Sequence, residues 1–64
     1  MTLLFFDSTA IRAVGHDGQT LYIQFHSGDK VYPFPGVPYL VFLELVTADS
    51  PGEYYAQHIR GRYR

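Results

Sequence analysis

The fold is decided by residues 20–26, which read Thr20-Leu21-Tyr22-Ile23-Gln24-Phe25-His26. Apolar side chains at positions 21, 23 and 25 alternate with more polar ones at positions 22, 24 and 26. A period of two is typical of a β-strand that turns one face toward a core. The stretch therefore predicts a sheet with one buried face.

A partner strand is expected upstream, at residues 8–15. A turn around Gly18 joins it to the strand at residues 20–26. A two-residue loop would place Arg12 opposite Ile23, whereas a three-residue loop places Ile11 there. The second register gathers the apolar side chains of both strands on one face. We therefore expect the three-residue loop.

A third strand is expected at residues 30–34, after a turn at residues 27–29. Pro33 has no N–H for the sheet ladder, which places this strand at a sheet edge. If the strand turns its valine to the core, Tyr32 and Phe34 join Tyr22 on the opposite face. That face is either an open aromatic wall or covered by residues 3–6 or by the second helix.

Two helices are expected after the strands. The first begins at Val37-Pro38 and runs to about Ala48, with proline suited to its first turn. Its core stripe comprises Pro38, Val41, Phe42, Leu45 and Val46.

The second helix carries local start and stop signals. Ser50 is placed as its cap, Pro51 as its first residue and Glu53 as the partner in a capping box. The helix is expected to run to about Arg60, with Gly61 ending it.

Together these elements predict an α+β fold, a three-stranded antiparallel β-meander followed by two helices packed on the sheet. The 64 residues form a single domain (1–64), with an apolar N-terminal segment at 1–7 and a basic C-terminal tail at 61–64. The chain has no cysteine, which excludes disulfides and thiolate metal sites. No apolar run approaches the ~20 residues that span a bilayer, and the start lacks a signal peptide, so we expect a cytoplasmic protein with no membrane partner.

Short motifs follow one another along the chain in a characteristic order. They are Ser8, Ile11, Val14-Gly15, Leu21, Ile23, Phe25, Ser27-Gly28, Tyr32-Pro33-Phe34, Gly36-Val37-Pro38, Tyr55 and His58-Ile59-Arg60-Gly61-Arg62-Tyr63. Their order and spacing resemble the KTSC domain family, small modules found alone in bacterial and phage proteins and at the C-terminus of some lysyl-tRNA synthetases. The central family pattern is Tyr-x-Tyr, from which Phe34 and Pro33 depart. The resemblance implies no established activity, and its synthetase context favours RNA as a partner.

The positive charge of the chain is concentrated at its C-terminal end. Three of the five basic side chains, Arg60, Arg62 and Arg64, fall in the last five positions, although the net charge is −1. Arginine forks suit phosphate oxygens, and aromatic rings can stack on bases. We therefore expect a non-enzymatic module that binds RNA or another nucleic acid through these arginines together with Lys30, Tyr32 and Tyr63. The alternative is a solvated tail whose Ile59 and Tyr63 pack on the core.

The first helix suggests a second kind of partner. Tyr39, Leu40 and Leu43 form an apolar face beside the core stripe. Such a face is typical of a protein-interaction or homodimerising surface. Alternatively, the N-terminal segment buries it.

Catalysis and metal binding find little support in the sequence. His16, His26 and His58 have no metal-ligand spacing, and the carboxylates fall mainly at turns and helix starts. We therefore expect no catalytic residue, no metal and no cofactor.

Overall fold

The computed structural model describes residues 3–5 and 10–63. Within these ranges the elements in chain order are β1 (Leu4–Phe5), β2 (Ile11–His16), β3 (Thr20–Phe25), β4 (Val31–Pro35), α1 (Tyr39–Thr47) and α2 (Pro51–His58). The strands form one antiparallel sheet in the order β1-β2-β3-β4. The predicted meander followed by two helices is present, but the prediction of three strands is wrong.

The additional strand comes from the apolar N-terminal segment. In β1, Leu4 lies opposite Val14 and Phe5 lies opposite Ala13. The outer edge of β2 offers unpaired N–H and C=O groups, and a short strand satisfies part of that edge. Two residues are too few to show a period of two, so this strand cannot be predicted from the sequence pattern.

The register between β2 and β3 differs from both registers considered. Val14 lies opposite Ile23, and Ile11 lies opposite Phe25, with a β-bulge between Ile11 and Ala13. The bulge adds one residue to β2, so that Ile11 and Val14 both reach the core although three positions separate them. Strict alternation therefore fails in β2, and the expected pairing of Ile11 with Ile23 is wrong.

The turn that sets this register has two central residues, Gly18 and Gln19. The N–H of Asp17 donates to the carbonyl of Thr20 at 3.2 Å, and Gly18 has a φ of 104°. A positive φ at the first central residue is the requirement of a type II′ hairpin turn. Gly18 thus takes the positive φ that was expected of it, but in a two-residue loop (18–19) that begins two residues later than the expected three-residue loop (16–18).

The pairing of β3 with β4 decides where the aromatic rings lie. Phe34 lies opposite Leu21 and Tyr32 lies opposite Ile23, so both rings share the core-facing side of the sheet. Tyr22 is on the other side. The predicted wall that combined all three rings is wrong, because the valine that begins β4 faces away from the core.

Both helices lie where they were expected, with shorter bounds. α1 begins at Tyr39 rather than Val37-Pro38 and ends one residue before Ala48. The predicted core stripe is partly confirmed, since Phe42 and Leu45 are buried.

α2 begins as the capping signals predicted. The Ser50 hydroxyl accepts the N–H of Glu53 at 3.4 Å, and Pro51 is the first helical residue. The helix ends at His58, two residues before Arg60, and Gly61 follows with a φ of 81°.

The core lies between the sheet and the helices. Its buried side chains come from β2, β3, the segment before α1, α1 itself and the residue after α2, namely Ile11, Val14, Leu21, Ile23, Val37, Phe42, Leu45 and Ile59. Among the described residues, neither helix is long and apolar enough to cross a bilayer.

Candidate nucleic-acid interface

Four rings form an aromatic cluster where α2 crosses the sheet. Tyr55 of α2 packs edge-on against Phe25 and Phe34, with ring centroids 5.2 and 5.8 Å away. Phe25 also contacts Tyr32, with centroids 5.8 Å apart. These geometries are the tilted and edge-to-face arrangements that aromatic pairs prefer. The aromatic cluster (Phe25, Tyr32, Phe34 and Tyr55) therefore connects β3, β4 and α2.

The outer end of the aromatic cluster carries a positive charge. The ammonium nitrogen of Lys30 lies 4.9 Å from the centroid of Tyr32, whose side chain is 42% exposed. A cation over an exposed ring contributes about 0.5–1 kcal/mol. The side-chain amide of Gln24 donates to the carbonyl of Asp29 at 2.9 Å and holds this turn against β3. Lys30 and Tyr32 thus form an exposed cation–ring pair on a fixed turn.

The C-terminal segment is folded onto the core. Ile59 is fully buried, and Tyr63 is half-buried against the core cluster. The N–H of Arg60 donates to the carbonyl of Tyr55 at 2.9 Å, and the N–H of Arg62 donates to the carbonyl of Ile59 at 3.0 Å. The alternative in which Ile59 and Tyr63 pack on the core is therefore confirmed for these two residues.

The arginines of this segment remain exposed. Arg60 and Arg62 are both on the surface, while Arg64 lies outside the described residues. Within residues 3–5 and 10–63, neither guanidinium has a carboxylate partner. The backbone N–H of Arg60, bonded to the carbonyl of Tyr55, ties the start of the arginine segment to the residue of α2 that joins the aromatic cluster.

The apolar face of α1 is exposed. Tyr39, Leu40 and Leu43 are 53%, 64% and 40% exposed. The described part of the N-terminal segment, residues 3–5, includes β1 at the sheet edge, and the three side chains of α1 stay exposed. Phe6, the other residue expected to cover them, lies outside the described residues. The expected second face of the first helix is therefore present on the surface.

His16 has a role that the sequence analysis missed. It is the last residue of β2, and its Nδ1 accepts the N–H of Gly18 at 3.0 Å. Nε2 therefore carries the proton, which it donates to the carbonyl of Val37 at 2.6 Å. The ring also contacts Tyr39 and Phe42. His16 thus joins the β2–β3 turn to the start of α1, a contact between residues 21 positions apart that no local pattern predicts.

The carboxylate of Asp17 holds the β2–β3 turn together through hydrogen bonds. Its Oδ1 accepts the N–H groups of Gln19 and Thr20 at 3.0 and 2.8 Å, and its Oδ2 accepts the hydroxyl of Tyr22 at 3.1 Å. The backbone N–H groups of Gln19 and Thr20, in that order, lower the pKa of the Asp17 carboxyl. This interpretation as a turn carboxylate agrees with the sequence analysis.

A second polar contact joins the helices. The hydroxyl of Tyr54 donates to Oε1 of Glu44 at 2.6 Å, and the ring of His58 lies 4.5 Å from that of Tyr54. Burial, followed by the bond to Glu44, raises the pKa of Tyr54 to about 12. In the described part of the chain, no group of three or more His, Cys, Asp or Glu side chains is placed to hold a metal ion.

Comparison with known proteins supports the resemblance seen in the sequence. The family model of the KTSC domain matches residues 7–63. A crystal structure of a KTSC domain protein from Yersinia pestis is similar in fold, with a TM-score of 0.91 and 26% sequence identity over 98% of this chain and 90% of that chain. No curated protein matches the chain.

Proposed function

Since this chain belongs to the KTSC domain family, we propose that it uses the family fold as a non-catalytic module that binds single-stranded RNA in the cytoplasm. The observation that carries the proposal is the exposed Lys30–Tyr32 pair. Through Phe25 and Tyr55 this pair is joined to the segment that carries the exposed arginines.

The chemistry of these groups suits a flexible, charged polymer with planar bases. A guanidinium can bind phosphate oxygens in a bidentate manner, and an ammonium provides a point charge. An exposed aromatic ring can stack on a base of any sequence, which contributes about 1–3 kcal/mol per base. Single strands leave their bases free for stacking, whereas duplexes do not. We therefore favour single-stranded RNA over a duplex.

The role of each side chain in RNA binding follows from how exposed that side chain is. Arg60, Arg62 and Lys30 contact phosphates, and Tyr32 supplies the stacking ring. Because Tyr63 is half-buried against the core, its role in the proposal is to hold the arginine segment in place. With a net charge of −1, attraction of RNA depends on this local grouping of cations and not on the charge of the whole molecule.

The proposal is tested by titrating a short labelled oligouridylate and following fluorescence anisotropy from about 50 to 200 mM salt. Affinity is expected to fall steeply with salt, with a slope of about −0.7 for each phosphate contacted. Replacing Arg60 and Arg62 together by Ala should remove most of the binding. Replacing both by Lys keeps the two positive charges, so the salt slope should change little. The affinity should still fall, because an ammonium cannot bind phosphate in a bidentate manner.

Circular dichroism on each variant establishes that the fold is intact. If the unaltered protein does not bind the oligouridylate at low salt, or the double alanine variant binds as tightly as the original, the proposal is wrong.

A second candidate function is favoured by the exposed face of α1. Here Tyr39, Leu40 and Leu43 would form a homodimer or protein-interaction surface, since each is at least 40% exposed. Such apolar patches are typical of interaction sites.

Sedimentation of the protein at high concentration tests this candidate. A dimer is expected, and Leu43→Glu should convert it to a monomer because a carboxylate would lose hydration in the interface. Gln57→Glu adds the same charge to an exposed position of α2 and serves as the matched control. A monomer at every concentration, together with no change on Leu43→Glu, rules out the homodimer.

A further inference from the structure

We propose that Arg12 is a further phosphate-binding residue of this interface, acting with Lys30 across the end of β3; the inference rests on the proposed RNA binding. Arg12 is exposed and lies at the bulge of β2, between Ile11 opposite Phe25 and Ala13 opposite Gln24. Its backbone is therefore adjacent to the last two residues of β3.

Lys30 occupies the corresponding position on the other side of β3. It directly precedes Val31, which lies opposite Gln24 in the β3–β4 pairing. Neighbouring strands are about 4.8 Å apart, so the backbones of Arg12 and Lys30 are separated by about 10 Å. Both side chains are long and flexible, and they can converge on one phosphate or on two neighbouring phosphates of a strand that crosses the end of the sheet.

The surroundings of the two cations favour an RNA ligand. The rings of Phe25 and Tyr32 contact each other at this same end of the sheet, beside Lys30. Arg12 has no carboxylate partner among the described residues. One cation over an exposed ring, with a second cation on the far side of β3, matches a base and the phosphates that flank it.

Two carboxylates also lie near this end. Asp29 precedes Lys30 in the turn, and Glu53 follows Gly52, whose backbone is in close contact with Ala10. Both are exposed. Because they repel phosphate, we expect Asp29→Asn to tighten binding.

The opposite end of the sheet has a different character. There the β2–β3 turn carries Asp17, and its carboxylate is occupied by the turn and by Tyr22. Gln19 is exposed in the same turn. A strand of RNA is therefore expected to approach the Arg12–Lys30 end.

The test measures binding of labelled oligouridylate to Arg12→Ala over the same range of salt. We expect an affinity loss of at least threefold and a salt slope shallower by about 0.7, because one phosphate contact is lost. Gln19→Glu changes the net charge by the same amount at the far end of the sheet and should alter the slope little. Circular dichroism establishes that the variants are folded.

The outcomes separate the two proposals. If Arg12→Ala changes affinity no more than Gln19→Glu does, while the alanine variant of Arg60 and Arg62 binds poorly, the role of Arg12 is wrong and RNA binding stands. If the unaltered protein does not bind oligouridylate at all, both proposals fall.

Discussion

The two helices are held in the fold by different means. α1 has no side-chain cap at Pro38, no acidic residue in its first turn and no basic residue in its last, but it buries Phe42 and Leu45. α2 has the Ser50 cap, an acidic residue in its first turn and a basic one in its last, yet it has no fully buried residue. Tertiary packing thus stabilises α1, whereas local signals define α2.

The same contrast extends to the exposed surfaces of the helices. α1 presents apolar side chains to solvent, and α2 leads into a turn with exposed arginines. A helix fixed by its buried face can present another apolar face, which suits a protein partner. α2, which is fixed by its caps, packs on the core through the half-buried Tyr54 and Tyr55. The arginines that follow it stay exposed to a charged ligand. The protein-interaction candidate therefore belongs to α1, whereas the RNA candidate joins the segment after α2 to the Lys30–Tyr32 pair at β4.

The largest expected effect concerns the packing of α1. Leu45 is fully buried, so Leu45→Ala should lower the free energy of unfolding by about 2–5 kcal/mol. Leu40→Ala, at a side chain that is 64% exposed on the same helix, should change it by less than about 0.5 kcal/mol. Urea denaturation measures both values. Equal losses for the two variants would contradict the assignment of the buried face.

A smaller effect is expected where α2 approaches the sheet. A Cβ at Gly52 would lie 2.8 Å from the Cβ of Ala10, which is attached to backbone and cannot rotate away. Gly52→Ala gains about 1 kcal/mol of helix propensity, but overpacking costs about 1–3 kcal/mol. We expect a net loss of up to about 2 kcal/mol, measured by the same urea denaturation.

The matched control for Gly52 is the double variant with Ala10→Gly. Removing the opposing methyl group should restore most of the stability lost. If Gly52→Ala alone stabilises the protein, α2 does not depend on this close approach.

The weakest effect concerns the contact that joins the helices. Because the pKa of Tyr54 is raised to about 12, the folded state binds this proton more tightly than the unfolded state, whose tyrosine titrates near its usual value of about 10. The resulting stabilisation is complete below about pH 10 and is lost as pH rises through the folded-state pKa. The pKa of Tyr22 is also raised, by its hydrogen bond to Asp17. Ultraviolet titration should therefore show a tyrosine that ionises near pH 12 and is absent in Tyr54→Phe.

Glu44→Gln sharpens this test. It removes the negative charge beside Tyr54 but leaves the burial of Tyr54, which is the main cause of its raised pKa. The late ionisation should then move partly back toward the usual range. If Tyr54 ionises together with the other tyrosines, the bond to Glu44 does not hold in solution.

The sequence predicted those elements whose signals are local. The alternation at residues 20–26 identified β3, and the spacing of Ser50, Pro51 and Glu53 identified the start of α2. Both signals depend on side chains within one strand or one turn, so they do not require knowledge of the rest of the fold. The apolar second face of α1 was predicted from the same kind of local spacing, whereas its exposure was one of two alternatives left open.

The features that the sequence could not predict depend on contacts between distant segments. The bulge after Ile11 breaks the period of two, and the two-residue strand β1 is too short to have one. The register that brings Tyr32 and Phe34 to the core side depends on the pairing of β3 with β4, which is set by contacts across both strands. A local pattern contains none of this information.

The candidate site shows the same division. Arg60, Arg62 and Lys30 were identified by charge alone, but their connection through the aromatic cluster depends on the packing of α2. Arg12 was not identified as a site residue, because its position beside the end of β3 depends on the register. A correct register would have placed it near Lys30.

The most direct test of the central claim, that this domain binds single-stranded RNA, is an NMR titration of isotopically labelled protein with oligouridylate at low salt. The account predicts shifts for Arg12, Lys30, Tyr32, Arg60 and Arg62, while Leu40 and Leu43 of α1 are unchanged. An unchanged spectrum at low salt, or shifts confined to the exposed face of α1, would contradict it.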